Sequence, residues 1–136
     1  MKIFFSGSIR GGRDDLSLYK DIVKFLKTKG EVLSEFVADE DIQKKEKEND
    51  ISDDQIFKGD VNLISKCDVL IAEVTTPSLG VGYEIRTAES FNKRIICLFR
   101  ENDNVRLSPM INGNNKVKVI RYKNFKDLKD KLMQIL

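Results

Sequence analysis

Short apolar runs alternate along the chain with longer segments whose apolar residues recur every three to four positions, the pattern of an α/β protein. Residues 2–6 (KIFFS) predict a buried strand, followed by the glycine-rich turn GSIRGG at 7–12. Leu16, Tyr19, Ile22, Val23 and Leu26 then share one face of a helix that Asp14 or Asp15 caps and that runs to about Lys29. Gly30 suits the position just past its end. Residues 31–37 (EVLSEFV) predict a second strand. From Asp39 to Asp54, 11 of 16 residues are charged with both signs mixed, which reads as a solvated loop or a frayed helix start. A helix from about Ser52 to Lys66 turns Ile56, Val61 and Ile64 inward. The run VLIAEV at 69–74 makes the central strand; a helix from about Gly82 to Asn92 and a strand at 94–99 (RIICLF) follow. Residues 100–116 read as a polar loop, 117–122 (VKVIRY) as a fifth strand, and Asn124 as the start of a closing amphipathic helix. With neither repeat nor linker, residues 1–136 are expected to fold as one domain. The architecture expected is a three-layer α/β sandwich, Rossmann or flavodoxin-like, with a five-stranded, mostly parallel sheet.

Composition narrows the chemistry. The 136 residues carry 24 Lys+Arg against 22 Asp+Glu, a net charge of +2, with no histidine, no tryptophan and two cysteines. Near-balanced charge argues against a nucleic-acid partner. No apolar run approaches the roughly 18–20 residues that span a bilayer, so no membrane association is expected. The missing histidine excludes Ser-His-Asp and Cys-His catalysis and the common histidine-containing zinc sites. Neither a metal nor a cofactor is expected. Cys67 and Cys97 read as small buried hydrophobes in a reduced cytoplasm. Acid–base chemistry falls to Asp, Glu, Tyr, Lys or Cys.

In sheets of this kind ligands bind beyond the carboxyl ends of the strands. After the first strand, Gly7-Ser8-Ile9-Arg10-Gly11-Gly12-Arg13 matches neither GxGxxG nor a Walker loop. Its backbone, hydroxyl and two guanidinium groups suit a phosphate monoester, or make a flexible turn with exposed arginines. After the third strand, Ser78, Gly80 and Gly82 make a second anion cradle at a helix start. Glu84 lies in the first turn of that helix. It either complements the helix dipole or is the carboxylate that meets an electrophilic carbon. Asp60 sits among Ile56, Phe57, Val61 and Ile64, at the border of an apolar face or pointing into the cleft as a partner to Glu84. Two carboxylates in different environments can divide the acid and nucleophile roles needed to cleave a glycosidic bond. Ser108-Pro109-Met110 lies in a loop long enough to reach a neighbouring subunit.

Taken together, FFSGSIRGGR at 4–13, AEVTTPSLGVGYE at 72–84 and FNKRIICLFR at 91–100 closely resemble the 2′-deoxynucleoside 5′-phosphate N-hydrolases, relatives of the nucleoside 2-deoxyribosyltransferases. The resemblance extends from about Lys2 to the end of the chain and weakens after Asp39. It implies a homodimeric enzyme that hydrolyses the bond between C1′ and the base of a nucleoside 5′-monophosphate. Glu84 matches the family's catalytic glutamate, which attacks C1′ or stabilises an oxocarbenium-like state. Asp60 matches the partner aspartate that protonates the leaving base and positions water. The 5′-phosphate is implied to lie on Ser8, Arg10 and neighbouring amides of residues 7–13, with Ser78 and Gly80. Ser108 comes from the other subunit, with Pro109 and Met110 alongside; Ile22 and Asp39 match positions lining the sugar and base. Two positions depart from the pattern: Phe4 stands where mammalian-type members carry a tyrosine near the sugar, and Phe36 where they carry a histidine. Losing the phenol hydroxyl removes a polar group close to C1′ and C2′, which is expected to reduce catalytic assistance, change discrimination against a 2′-hydroxyl, or both, so the site could admit ribonucleotides. A deoxyribosyltransferase, against which the phosphate cradle argues, and a catalytically silent nucleotide-binding module are the competing readings.

Overall fold

The computed structural model describes residues 1–136. The chain runs β1 (Lys2–Ser6), α1 (Leu16–Leu26), β2 (Glu31–Val32), a 3-10 turn (Glu35–Ala38), α2 (Ile42–Glu48), α3 (Asp53–Lys66), β3 (Val69–Glu73), α4 (Leu79–Ser90), β4 (Arg94–Arg100), α5 (Pro109–Asn112), β5 (Val117–Tyr122) and α6 (Phe125–Met133). All five strands are parallel, in the order β2-β1-β3-β4-β5. The three-layer arrangement expected from the sequence is present, and the sheet is wholly parallel.

Strand pleat divides the core in two. Ile3, Phe5, Val69, Ile71, Ile96 and Leu98 face the layer of α1 and α6. Phe4, Leu70, Ala72, Ile95 and Cys97 face the layer of α3 and α4. Strands β1, β3 and β4 are buried on both faces, which is why they read as unbroken apolar runs. Helices α3 and α6 begin at hydrogen-bonding caps, whereas neither Asp14 nor Asp15 caps α1 through its side chain as expected, the Asp15 carboxylate being turned to Arg100 instead. Ser52 forms a reciprocal capping box with Gln55 at α3, and the Asn124 side chain accepts from Asp127 N–H at α6.

Several expected boundaries move. The first helix ends at Leu26 rather than Lys29, and Gly30 serves a close approach: a Cβ there would lie 2.1 Å from the Met1 carbonyl oxygen. The second strand stops at Val32 because the buried Ser34 hydroxyl takes over the pairing with β1. It accepts from Phe5 N–H and donates to Phe5 C=O, each at 2.7 Å. Part of the charged stretch is a seven-residue helix, α2. Helix α4 begins three residues early, at Leu79, because the Ser78 side chain accepts from Val81 N–H. Pro109–Asn112 forms a short helix inside the expected loop. Of the three inward candidates on α3, Ile64 is buried, while Ile56 and Val61 are half-buried. No helix is long and apolar enough to cross a membrane.

Candidate active site

The chain leaves β1 toward the α1 layer and leaves β3 toward the α4 layer, although the two strands are neighbours. A crevice therefore opens beyond their carboxyl ends, where ligands bind in sheets of this kind. Pleat sets its chemistry. Ser6 follows Phe4 on the α3–α4 face, so its hydroxyl emerges at the top of β1 facing α4. It donates to the Glu84 carboxylate at 2.6 Å.

Glu84 is half-buried, and burial pushes its carboxyl up to about 7; the Ser6 bond and the Arg10 guanidinium oppose the rise, and the Asp60 charge adds to it. Asp60 lies four residues before the buried Ile64, on the inward stripe of α3. Burial raises it to about 6, opposed by Arg10 and assisted by the Glu46 charge. Two carboxyls on facing helices are thus each brought near neutrality, within reach of one arginine's field. Such a pair can exchange a proton with a ligand at physiological pH. No group of three or more Cys, Asp or Glu side chains is arranged to hold a metal ion.

The 7–13 loop covers one side of this crevice. Its backbone lies tightly against the Pro77–Ser78 segment: a Cβ on Gly11 would stand 2.8 Å from the Pro77 carbonyl oxygen and 3.0 Å from Ser8 Oγ, and Gly12 adopts φ +132°. Ser8 is fully buried, and its hydroxyl is the one buried side-chain polar atom with no hydrogen-bond partner. Such an atom is costly unless something completes it. Ser78, Gly80 and the free N–H groups at the start of the twelve-residue helix α4 lie across the loop from it.

The two arginines of the loop have different occupations. Arg10 is exposed on the crevice side and ion-paired with Glu46 of α2. Arg13 donates to the carbonyls of Ser8 (3.1 Å), Val37 (2.8 Å) and Asp39 (2.7 Å). Its guanidinium is a clamp between the loop and the segment before α2, not a free anion ligand. Asp39 likewise has a structural task. It accepts from Asp41 N–H at 2.9 Å and pairs with Lys45 at 2.5 Å, which holds its carboxyl below the usual range. Ile22 is fully buried on the core-facing side of α1, and Phe4 is fully buried on the opposite face of the sheet below Ser6. Neither is open to the crevice. Gly7 is buried against Tyr19 and Val37, and Ile9 packs on the core.

Ser108, Pro109 and Met110 are exposed, and Ser108 caps α5. A cavity of about 610 Å³ separates α4 from this loop, with Gly11, Ser78, Gly82, Arg86, Ser108 and Met110 in its wall. Gly82 and Arg86 each lie about 200° around α4 from Glu84. The chain's own Ser108 and its carboxyl pair therefore flank opposite sides of one helix.

Two site residues, and one buried carboxyl on the other face of the sheet, escaped the sequence reading. Ser6 was recoverable in principle from strand alternation and its place at a strand end. Glu46 was hidden in a charge run that gave no face. Glu73 ends β3, where it looked like one more strand residue. It is fully buried, raised to about 7 by burial, and accepts from Tyr122 Oη at 3.1 Å and from the Thr75 hydroxyl. Tyr122 itself is fully buried in the core beneath α6.

A family model described as nucleoside 2-deoxyribosyltransferase matches residues 3–133. The chain is 44% identical over 127 residues to a 5-hydroxymethyl-dUMP N-hydrolase of Danio rerio, spanning 93% of this chain and 88% of that protein. It is 47% identical over 111 residues to the 5-hydroxymethyl-dUMP N-hydrolase of Rattus norvegicus, spanning 82% of this chain and 68% of that protein. Among solved structures, the CMP N-glycosidase BcmB of Clostridium botulinum superposes with a TM-score of 0.71 at 27% identity, covering 100% of both chains.

Proposed function

Because the chain belongs to the nucleoside 2-deoxyribosyltransferase family, we propose that it hydrolyses the N-glycosidic bond of deoxyribonucleoside or ribonucleoside 5′-monophosphates, giving free base and the sugar 5-phosphate. The observation that carries this reading is the pair of half-buried carboxyls, Glu84 and Asp60, on facing helices beside a loop with an orphaned hydroxyl and an exposed arginine. A phosphate monoester bridging Ser8 Oγ, Arg10, Ser78 and the amides near Gly11 and Gly80 supplies the missing partner to Ser8. That anchor sets C1′ toward Glu84.

Glu84 in its ionised form attacks C1′ or, short of a bond, balances the positive charge developing there. The C1′–N bond breaks with its electron pair passing to the base, which takes a proton from Asp60. A water molecule then gives its oxygen to C1′ and its proton to Asp60, releasing Glu84. In the unliganded site burial raises both carboxyls, Glu84 to about 7 and Asp60 to about 6. Positive charge at C1′ lowers the nearer group, Glu84, and favours its ionised form as the bond loosens.

A homodimer completes the site in this reading. Leu79, Met110, Tyr83 and Phe57 are 97%, 81%, 61% and 51% exposed, an apolar surface around the start of α4. The chain's own Ser108 and Met110 share a cavity wall with Gly11 and Ser78 on the side of α4 away from Glu84. In this reading a second copy brings its Ser108–Met110 loop to the Glu84 side, as the resemblance to the N-hydrolases implies. Two free cysteines fit a cytoplasmic setting.

A second reading, preference for ribonucleotides, is favoured by the likeness to a CMP N-glycosidase and by the lack of a phenol hydroxyl at position 4, although the Phe4 ring itself is closed off from the crevice. Incubation with dGMP, GMP, dCMP, CMP and deoxyguanosine, with chromatography for free base, tests both. Monophosphates release base and the nucleoside reacts far less; no release from any monophosphate refutes the hydrolase, and faster release from the ribonucleotides selects the second reading. A monomer mass by light scattering refutes the shared loop.

A further inference from the structure

Helix α2 is an unusual wall for a nucleotide site. None of its seven residues is fully buried, and only Ile42 and Glu46, one turn apart, are half-buried against the body of the protein. The remainder is solvated. Two ion pairs tether its side chains, Lys45 with Asp39 and Glu46 with Arg10. The second is the informative one. The Glu46 side chain is 16% exposed although its helix lies on the surface, and its partner is the loop arginine best placed to receive a phosphate.

Arg10 thus has a carboxylate on it before any nucleotide arrives. A guanidinium can hold a carboxylate or a phosphate in similar fork geometry, and a phosphate monoester brings the greater charge. The two anions compete for one cation. We propose that Glu46 is an internal competitor for the 5′-phosphate: it occupies Arg10 in the free protein, yields it to the incoming nucleotide, and reclaims it as the sugar phosphate leaves. The inference rests on the nucleotide N-hydrolase reading and adds to it a residue that sets affinity for the phosphate.

The competition has a direction. Glu46 lowers the affinity of every phosphorylated ligand and leaves that of an unphosphorylated nucleoside alone. It also favours product release, because the sugar 5-phosphate must hold Arg10 against a tethered carboxylate. Half-exposed ion pairs are weak, so the effect is modest: removal of the Glu46 charge tightens phosphate binding about two- to fivefold. Released from Arg10, α2 retains the Lys45–Asp39 pair, and Arg13 still holds the Asp39 carbonyl. The loop and helix therefore stay in place while the one contact changes partner.

The experiment compares the full chain with Glu46→Gln and with Glu48→Gln, which removes the same charge from the outer face of α2. Titration with inorganic phosphate, followed by the amide NMR signals of residues 7–13 at fixed ionic strength, reads the competition without turnover. Glu46→Gln tightens phosphate about two- to fivefold and Glu48→Gln changes it little. In turnover, KM for a deoxynucleoside 5′-monophosphate falls by the same factor in Glu46→Gln, kcat does not rise, and inhibition by the sugar 5-phosphate strengthens. Unchanged or weaker phosphate binding in Glu46→Gln, or equal tightening in Glu48→Gln, overturns the proposal. Absence of base release from the unaltered chain overturns the hydrolase reading instead, and the phosphate titration still decides the role of Glu46.

Discussion

Glu84→Gln separates what the carboxyl does for chemistry from what it costs the fold. Burial lifts Glu84 from an ordinary 4.5 to about 7. Below pH 4.5 the group is neutral both folded and unfolded and carries no penalty. Between pH 4.5 and 7 the unfolded chain ionises while the folded one keeps its proton, so stability falls as pH rises. Above 7 the loss is complete. The displacement of about 2.5 pH units corresponds to about 3 kcal/mol, an upper bound given that the side chain is only half-buried. Glutamine retains an oxygen to accept from Ser6 Oγ and never ionises. The variant is therefore nearly as stable as the parent at pH 4.5 and about 2–3 kcal/mol more stable at pH 8. For a 136-residue chain with an unfolding entropy near 0.3 kcal/mol/K, that is a rise in Tm of about 7–10 °C at pH 8. The same variant loses base release, because the uncharged amide is a poor nucleophile. Urea titrations of both proteins at pH 4.5, 6 and 8 read the difference directly. A stability difference independent of pH, or a variant less stable at pH 8, would refute the claim that Glu84 is held against its own solvation.

Two further outcomes follow from particular contacts. Ser6→Ala removes the hydroxyl donated to Glu84 at 2.6 Å. A hydrogen bond to a charged group is worth about 1.5–3 kcal/mol, so the rise of kcat/KM with pH that tracks Glu84 ionisation moves upward by about one unit or more; an unmoved profile measured from pH 5 to 9 removes Ser6 from the site. Ser34→Ala leaves both the N–H and the C=O of Phe5 without their buried partner. Urea unfolding should show a loss of about 2–4 kcal/mol with the denaturant slope unchanged, and a loss below 0.5 kcal/mol contradicts the role given to the hydroxyl.

Legibility in the sequence tracked the range of the interaction. The run VLIAEV reads as strand because a parallel strand buried on both faces must be apolar throughout. Helix α1 shows its face at 19, 22, 23 and 26 because burial follows the helical period. Capping is local too, so Asn124 marks the start of α6 unaided. The end of β2 was not legible: Ser34 replaces a strand residue by bonding Phe5, 29 positions away, and nothing in EVLSEFV marks that partner. The start of α4 was misjudged because Pro77-Ser78-Leu79-Gly80 resembles a turn, and the Ser78 cap acts on a backbone that had to be folded first.

The sequence by itself determined the layer architecture, since strand and helix patterns depend on residue type and short-range spacing; the glycine-rich loops and the Asp60 and Glu84 carboxyls were candidates in it that only the resemblance to the N-hydrolases joined into one site. It also marked the departures at Phe4 and Phe36. Which carboxyls are raised, and which arginine is free to exchange its partner, were decided only by the tertiary structure. A pKa depends on burial and on charges brought from other elements: Ser6 from β1, Arg10 from a loop and Glu46 from α2 act on groups in α3 and α4. Arg10 and Arg13 stand three residues apart in one motif. Folding turns Arg13 onto three carbonyls and Arg10 onto one carboxylate, and only the second contact is one that an incoming phosphate can replace.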